Sequence, residues 1–193
     1  MKIRFIILLA VLFYNEISAQ NTRFVDKNAT GSNNGSTWSN AYTTIQAAVN
    51  SAADGDTILI KQGVYKEAVS MAYKAQITFV GGFSGNELYA FQSNPKIYET
   101  ILDADVNGDD QPFTLNNKSD NLDYLIYFHQ SQGNHNIWGI TFKNGYNNGG
   151  WASRGGAIAI RDGASIASDT TETHVHIKNC RFEFNYAVNE GGA

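Results

Sequence analysis

Asp103, Asp105, Asn107 and Asp109 stand at alternate positions of one short run, Asp103-Ala104-Asp105-Val106-Asn107-Gly108-Asp109-Asp110. Oxygen-bearing side chains at alternate residues, with Gly at the sharp turn, open a calcium loop, because a hard cation needs several oxygens converging on one point. Thr114 stands where the closing bidentate Glu of such a loop belongs, and no flanking helices are visible. Two readings stand: a Ca2+ site at Asp103, Asp105, Asn107 and Asp109, and a solvated turn rich in Asp and Asn. Asp103 and Asp105 would share one face of an extended segment. Paired carboxylates can run glycoside hydrolysis, but no group that would tune these two can be identified.

A second kind of chemistry lies in Tyr146-Asn147-Asn148-Gly149-Gly150-Trp151. Aromatic rings stack on the apolar faces of sugars, and amides bond their hydroxyls. Tyr146, Trp151 and Trp138 are therefore the candidate carbohydrate-binding residues. An exposed Trp is unfavourable in water and can mark a contact surface; the alternative is that Trp151 folds back over the body. Trp38 is expected against a helix. His174 and His176 alternate with Val175 and Ile177, so they share one strand face. Two such His can chelate zinc, but no third ligand is apparent, and the pair reads as a polar outer face. Cys180, the single cysteine, reads as a buried thiol and excludes an internal disulfide framework.

Repetition shows which elements must position these groups. Gly139-Ile140-Thr141-Phe142-Lys143-Asn144-Gly145 and Asn179-Cys180-Arg181-Phe182-Glu183-Phe184-Asn185 are offset by 40 residues, and Gly155-Gly156-Ala157 and Gly191-Gly192-Ala193 by 36. A strand-sized unit returning at a few tens of residues indicates stacked coils. Ile45, Ala48, Val49 and Ala52 have helical spacing, with Thr43 or Thr44 as cap and Asp54-Gly55 as the end. Thereafter the period is two. Strands are predicted at 57–60, 62–65, 77–80, 100–102, 125–128, 137–142, 157–160 and 175–184. Asn144, Asn147, Asn148, Asn179 and Asn185 read as structural corner residues. One helix followed only by strands argues against a doubly wound fold. The helix has a task, covering the first coil's open edge.

Composition agrees. The chain has 193 residues, 17% charged, with 18 Gly and 2 Pro, which suits short strands and tight polar turns. A net charge of −4 without a basic cluster argues against nucleic-acid binding. Met1 to Ala19 carry a basic start, a ten-residue apolar run at 5–14 and a small residue at Ala19. This is the layout of a secretory signal, and the run is too short to span a bilayer. The expected organisation is a signal peptide over 1–19, an N-terminal cap over 20–55 and parallel coils over 56–193, truncated on the C-terminal side.

Arg23-Phe24-Val25-Asp26, Gly31 to Trp38, Ile45-Gln46-Ala47-Ala48, Gly55 to Tyr65, Gly81 to Gly85 and Thr100 to Asp103 together resemble secreted right-handed parallel β-helix proteins of the pectate-lyase-like superfamily, Bacteroidetes type. The Gly155-Gly156-Ala157-Ile158 and Phe182-x-x-Asn185 blocks resemble repeats of polymorphic outer-membrane proteins, which are surface adhesins. Phe142 departs from that repeat, being followed by Gly145 where Asn is expected. The resemblance implies an all-β solenoid, a right-handed parallel β-helix with an N-terminal capping α-helix. It implies a secreted or cell-surface protein binding a polysaccharide, surface glycan or other surface partner, with outer-membrane anchoring through a C-terminal region beyond this chain. The alternative it carries is a polysaccharide lyase or glycoside hydrolase with its site on further coils. Lyase chemistry would call on Arg154, Arg161 or Lys178, and none has a diagnostic neighbour motif.

Overall fold

The computed structural model describes residues 20–111, 113–149, 155–161 and 172–188. Residues 1–19, read above as a signal peptide, together with Trp151, Arg154 and the second Gly-Gly-Ala block lie outside the described residues.

The one α-helix among the described residues, α1 (Ile45–Ser51), forms where the apolar spacing predicts it. Thr44 caps it by accepting a hydrogen bond from the Ala47 N–H at 3.2 Å. Glu67 accepts from the next free donors, the N–H groups of Ile45 (2.8 Å) and Gln46 (3.0 Å). Such side-chain acceptors satisfy donors that a helix start leaves unpaired. The helix ends at Ser51, short of Asp54-Gly55, because Ala52 turns to extended backbone. Ile45, Ala48, Val49 and Ala52 are buried with Val25, Ile58, Ile60 and Met71.

All remaining regular structure among the described residues, apart from one 3-10 turn at Ala90–Gln92, is strand: β1 (Thr22–Val25), β2 (Thr57–Lys61), β3 (Gly63–Tyr65), β4 (Val69–Ser70), β5 (Thr78–Phe83), β6 (Thr100–Asp103), β7 (Ile126–His129), β8 (Gly133–Trp138), β9 (Ile140–Lys143), β10 (Tyr146–Asn147), β11 (Ile158–Arg161), β12 (Thr173–Lys178), β13 (Arg181–Glu183) and β14 (Tyr186–Ala187). Among the described residues every strand pair is parallel. The sheets run β1-β2-β5-β8-β12, β3-β6-β9-β13, β4-β7-β11 and β10-β14, and among the described residues none closes into a barrel. The Asn-Gly pairs at Asn107 and Asn144 therefore make corners and loops, not hairpins. Chain order is kept within each sheet, so β2, β3 and β4, then β5, β6 and β7, enter the first three sheets in turn.

Two predicted strands split. Positions 137–142 divide at Gly139 and positions 175–184 at Asn179, whose φ values are 66° and 53°. These equivalent corners need the left-handed region, which Gly and Asn tolerate best. The sequence repeat reappears as register: Thr141 pairs with Arg181 and Phe142 with Phe182. The two phenyl rings stack with centroids 5.1 Å apart. Phe79, Leu102, Phe128, Ile137 and Phe142 fill the core between the sheets. A smaller cluster of Phe24, Leu59, Val80 and Phe83 holds Trp38, which packs there and not against the helix.

Candidate functional site

The strand ends Asp103 (β6), Lys143 (β9) and Glu183 (β13) lie side by side in register. The next residues form a corner. Asn144 takes φ 61° there and Phe184, one repeat later, φ 56°. Gly145 donates its N–H to Asn185 Oδ1 at 2.9 Å, so the Asn of the later repeat compensates for the Gly of the earlier one. Over this corner folds the long connection from β6 to β7. Between them lies a cleft of about 480 Å³, lined by Asp103, Asp105, Asp110, Lys118, Lys143, Phe113, Phe184 and Tyr186, among others.

Asp105 organises the near wall. Its Oδ1 accepts from the N–H groups of Gly108 (2.5 Å) and Asp109 (3.2 Å), and its Oδ2 from Asp110 (3.1 Å). Burial alone would raise its carboxyl; the N–H groups of Asp110, Gly108 and Asp109, with Lys66 nearby, hold it below the usual carboxylate range. Asp103 Oδ1 accepts from Asp105 N–H at 3.1 Å and Asn144 Nδ2 at 2.8 Å. At the floor, Lys118 Nζ donates to Asp110 Oδ2 at 2.5 Å, and Asn121 Nδ2 to the same oxygen at 2.8 Å. Both ends of the Lys118–Asp110 ion pair are 6% exposed.

Aromatic rings form the rim. Phe113 is 92% exposed, Phe184 45% and Tyr186 37%. Phe113 and Phe184 meet edge to face at 5.3 Å, and both hold positive φ, 62° and 56°. A bulky residue there costs about 1–3 kcal/mol. Tyr186 stacks on Tyr146 at 5.4 Å.

The sequence-based sites distribute unevenly. Of the four calcium candidates, Asp105 and Asp109 come together, and Asp120 joins them, their ligand atoms all within 4.8 Å of one another. Asp103 lies outside that group, and Asn107 meets Asp120 through its own N–H at 2.9 Å. Tyr146 supports the rim from behind, stacked under Tyr186. Trp138 is half-buried against the smaller core cluster, with Lys178 Nζ 5.8 Å from its ring centroid. His174 and His176 face outward, and His174 Nε2 lies 3.4 Å from Glu172. Cys180 is half-buried, and burial raises its thiol above the ordinary value.

Phe113, Tyr186 and Lys118 were not singled out by sequence, and Asp110, Lys143 and Phe184 stood out only as members of the acidic run and of the repeat blocks. One signal existed: Phe184 occupies the repeat position that Asn144 fills, an aromatic where a corner wants Asn. In a larger groove of about 760 Å³ beside Pro95 and Cys180, Arg181 pairs with both Glu99 and Glu183. In comparisons with protein-family models, curated proteins and solved structures, nothing matches this chain.

Proposed function

We propose that this is an exported, adhesin-like saccharide-binding protein, built as a right-handed parallel β-helix with α1 as its N-terminal cap. The solenoid reading is supported by all-parallel pairing in chain order and by like residues stacked on like, Phe142 on Phe182 and Tyr146 on Tyr186. The right hand follows the strong preference of parallel crossovers. Export follows from the leader-like segment at 1–19. Among the described residues no helix is long and apolar enough to cross a membrane.

One observation carries the binding reading: three exposed rings, two at a cost in backbone strain, border a cleft walled by carboxylates, amides and two lysines. Apolar faces beside hydrogen-bonding groups are what a sugar ring requires. Titration of the full chain against a panel of oligosaccharides should find a binder. Phe184→Ala and Tyr186→Ala should each weaken it by about fivefold or more, the value of one good aromatic contact. A panel without a binder, or full affinity in both variants, overturns the reading. The polysaccharide lyase or glycoside hydrolase alternative is weaker here, because donors already hold Asp103 and Asp105 as fixed acceptors.

Calcium is the cofactor this reading carries, at Asp105, Asp109 and Asp120. Three carboxylates are half or fewer of the six to eight oxygens the ion takes, so carbonyls or water would complete the shell. Calcium at a hundredfold excess over its dissociation constant should stabilise the fold by about 2.7 kcal/mol. Equal melting temperatures in calcium and in EDTA would remove the ion from the proposal.

A further inference from the structure

We infer that the connection from β5 to β6 carries a second contact surface, independent of the cleft: its tip, Leu88, Tyr89 and Phe91, inserts into the interfacial layer of a phospholipid bilayer. These three side chains are 60%, 59% and 84% exposed, and Ile97 on the same connection is 67% exposed. Tyr89 and Phe91 stack on each other, with centroids 5.4 Å apart and planes within 7° of parallel. Each ring shelters one face of the other, and both still stand largely in water. Apolar side chains exposed singly need no explanation, whereas grouped ones mark a contact surface.

The tip is built, not loose. The Glu87 carboxylate accepts from the N–H groups of Ser84, Gly85 and Asn86, and the Glu87 carbonyl accepts from Trp38 Nε1 at 2.6 Å. Gln92 Oε1 accepts from the N–H groups of Leu88 (2.9 Å) and Tyr89 (3.0 Å). Behind the tip, the Ser93 hydroxyl donates to Gly81 O at 2.6 Å, and Asn94 N–H to Gly82 O at 2.8 Å, so the turn is tied to β5. A tip ordered before it docks loses little further freedom on docking.

Three features select a lipid surface. Leu88 and Ile97 are aliphatic and offer a sugar no ring face to lie on. Glu87, Gln92 and Ser93, the polar side chains around the tip, are bonded to backbone groups of the β5–β6 region. Burial of apolar surface is therefore what the tip has to offer. Side chains this exposed stand proud of their surroundings, and a bilayer takes up a protruding apolar tip without a pocket shaped to receive it. From Leu88 to Tyr98 the chain carries no carboxylate, and its one charge is the exposed Lys96. A cation beside Tyr and Phe suits the level of phosphate headgroups, which a carboxylate would oppose.

The test places the full chain on vesicles of dibrominated phosphatidylcholine, whose bromine atoms quench a tryptophan only inside the bilayer. Phe91→Trp adds a reporter at the tip to the three native tryptophans. The fluorescence it adds over the parent should be lost on brominated vesicles and kept on unbrominated ones. Leu88→Ser with Phe91→Ser should weaken partition onto unbrominated vesicles by about tenfold or more, as expected for two large apolar side chains partly removed from water. Every chain compared carries the same apolar run at 5–14, so only differences between them count. Melting temperatures check that these exposed substitutions leave the fold intact. Should the double variant fail to fold, quenching of Phe91→Trp decides alone. Added fluorescence that survives on brominated vesicles, or unchanged partition by the folded double variant, overturns the inference. Loss of oligosaccharide binding in the folded double variant would assign the tip to sugar and overturns it equally.

Discussion

His135 is fully buried. Its Nδ1 accepts the Ile77 N–H at 3.2 Å, its Nε2 has no partner, and its ring lies 4.9 Å from Phe128. The accepting Nδ1 requires the neutral tautomer with the proton on Nε2. Burial depresses the imidazole below its ordinary value, against smaller opposing effects of Gln132, Asp54 and Ile77. The folded value is therefore the lower one. As pH falls through the unfolded value, about 6.5, the unfolded chain takes up a proton that the folded chain refuses, and stability declines. The carboxylates act in another window. Glu87 is pulled down to about 2, its burial outweighed by N–H groups at Ser84 and Asn86 and the Ser84 hydroxyl. With Asp105, it contributes stability above the usual carboxylate range that is lost only as pH falls below about 4. The melting temperature should thus drop between pH 7.5 and 5.5. His135→Asn keeps an acceptor for Ile77 and should flatten that drop while lowering the absolute value. An unchanged slope in the variant would assign the pH dependence elsewhere.

At the scale of elements, strands and helix were legible because their buried faces write a period into the chain. Ile45, Ala48 and Val49 mark α1, and the 40-residue offset of the two Phe blocks became the register of β9 and β13. The corners were not legible. Ile137, Ile140 and Phe142 are all buried, so the apolar pattern runs on across Gly139 and conceals the turn. Strands of two residues, β4, β10 and β14, are too short to show any period. The cleft was hidden for a different reason. Asp110 and Lys118 on one connection meet Lys143, Phe184 and Tyr186 only through parallel register and a loop folded over a corner. Composition can suggest sugar binding, but it cannot say which aromatic is left outside. Trp138, conspicuous in the sequence, is half-buried beside Val80 and Phe83, whereas Phe113 is almost wholly exposed.

Across the whole molecule, chain length is absorbed chiefly in the connections; among the described strands one register shift occurs, where β5 takes up one residue more than β2 between Leu59 and Lys61. Along the first sheet, Thr22 with Thr57, Thr57 with Thr78, Thr78 with Asn136 and Gly133 with Thr173 are separated by 35, 21, 58 and 40 residues, yet all pair in parallel. Lengthening a flexible loop costs little entropy, about 0.6 kcal/mol per doubling. A strand without a bulge has no such tolerance, because a one-residue slip sends every following side chain to the opposite face. Phe142 sits between Leu102 and Phe182 in neighbouring strands, so a slip there removes the centre of a stack that three elements share. One Gly inserted after Asn116, in the exposed part of the β6–β7 connection, should leave the melting temperature within a few degrees of the parent. The same Gly inserted after Thr141 turns Phe142 outward and should abolish cooperative unfolding, as a burial loss of about 3–5 kcal/mol from one large ring implies for a marginally stable chain. Thermal melts followed by circular dichroism separate the cases. Equal stability in the two insertions would mean that the sheets can change register, and the stacked architecture argued from them would fall.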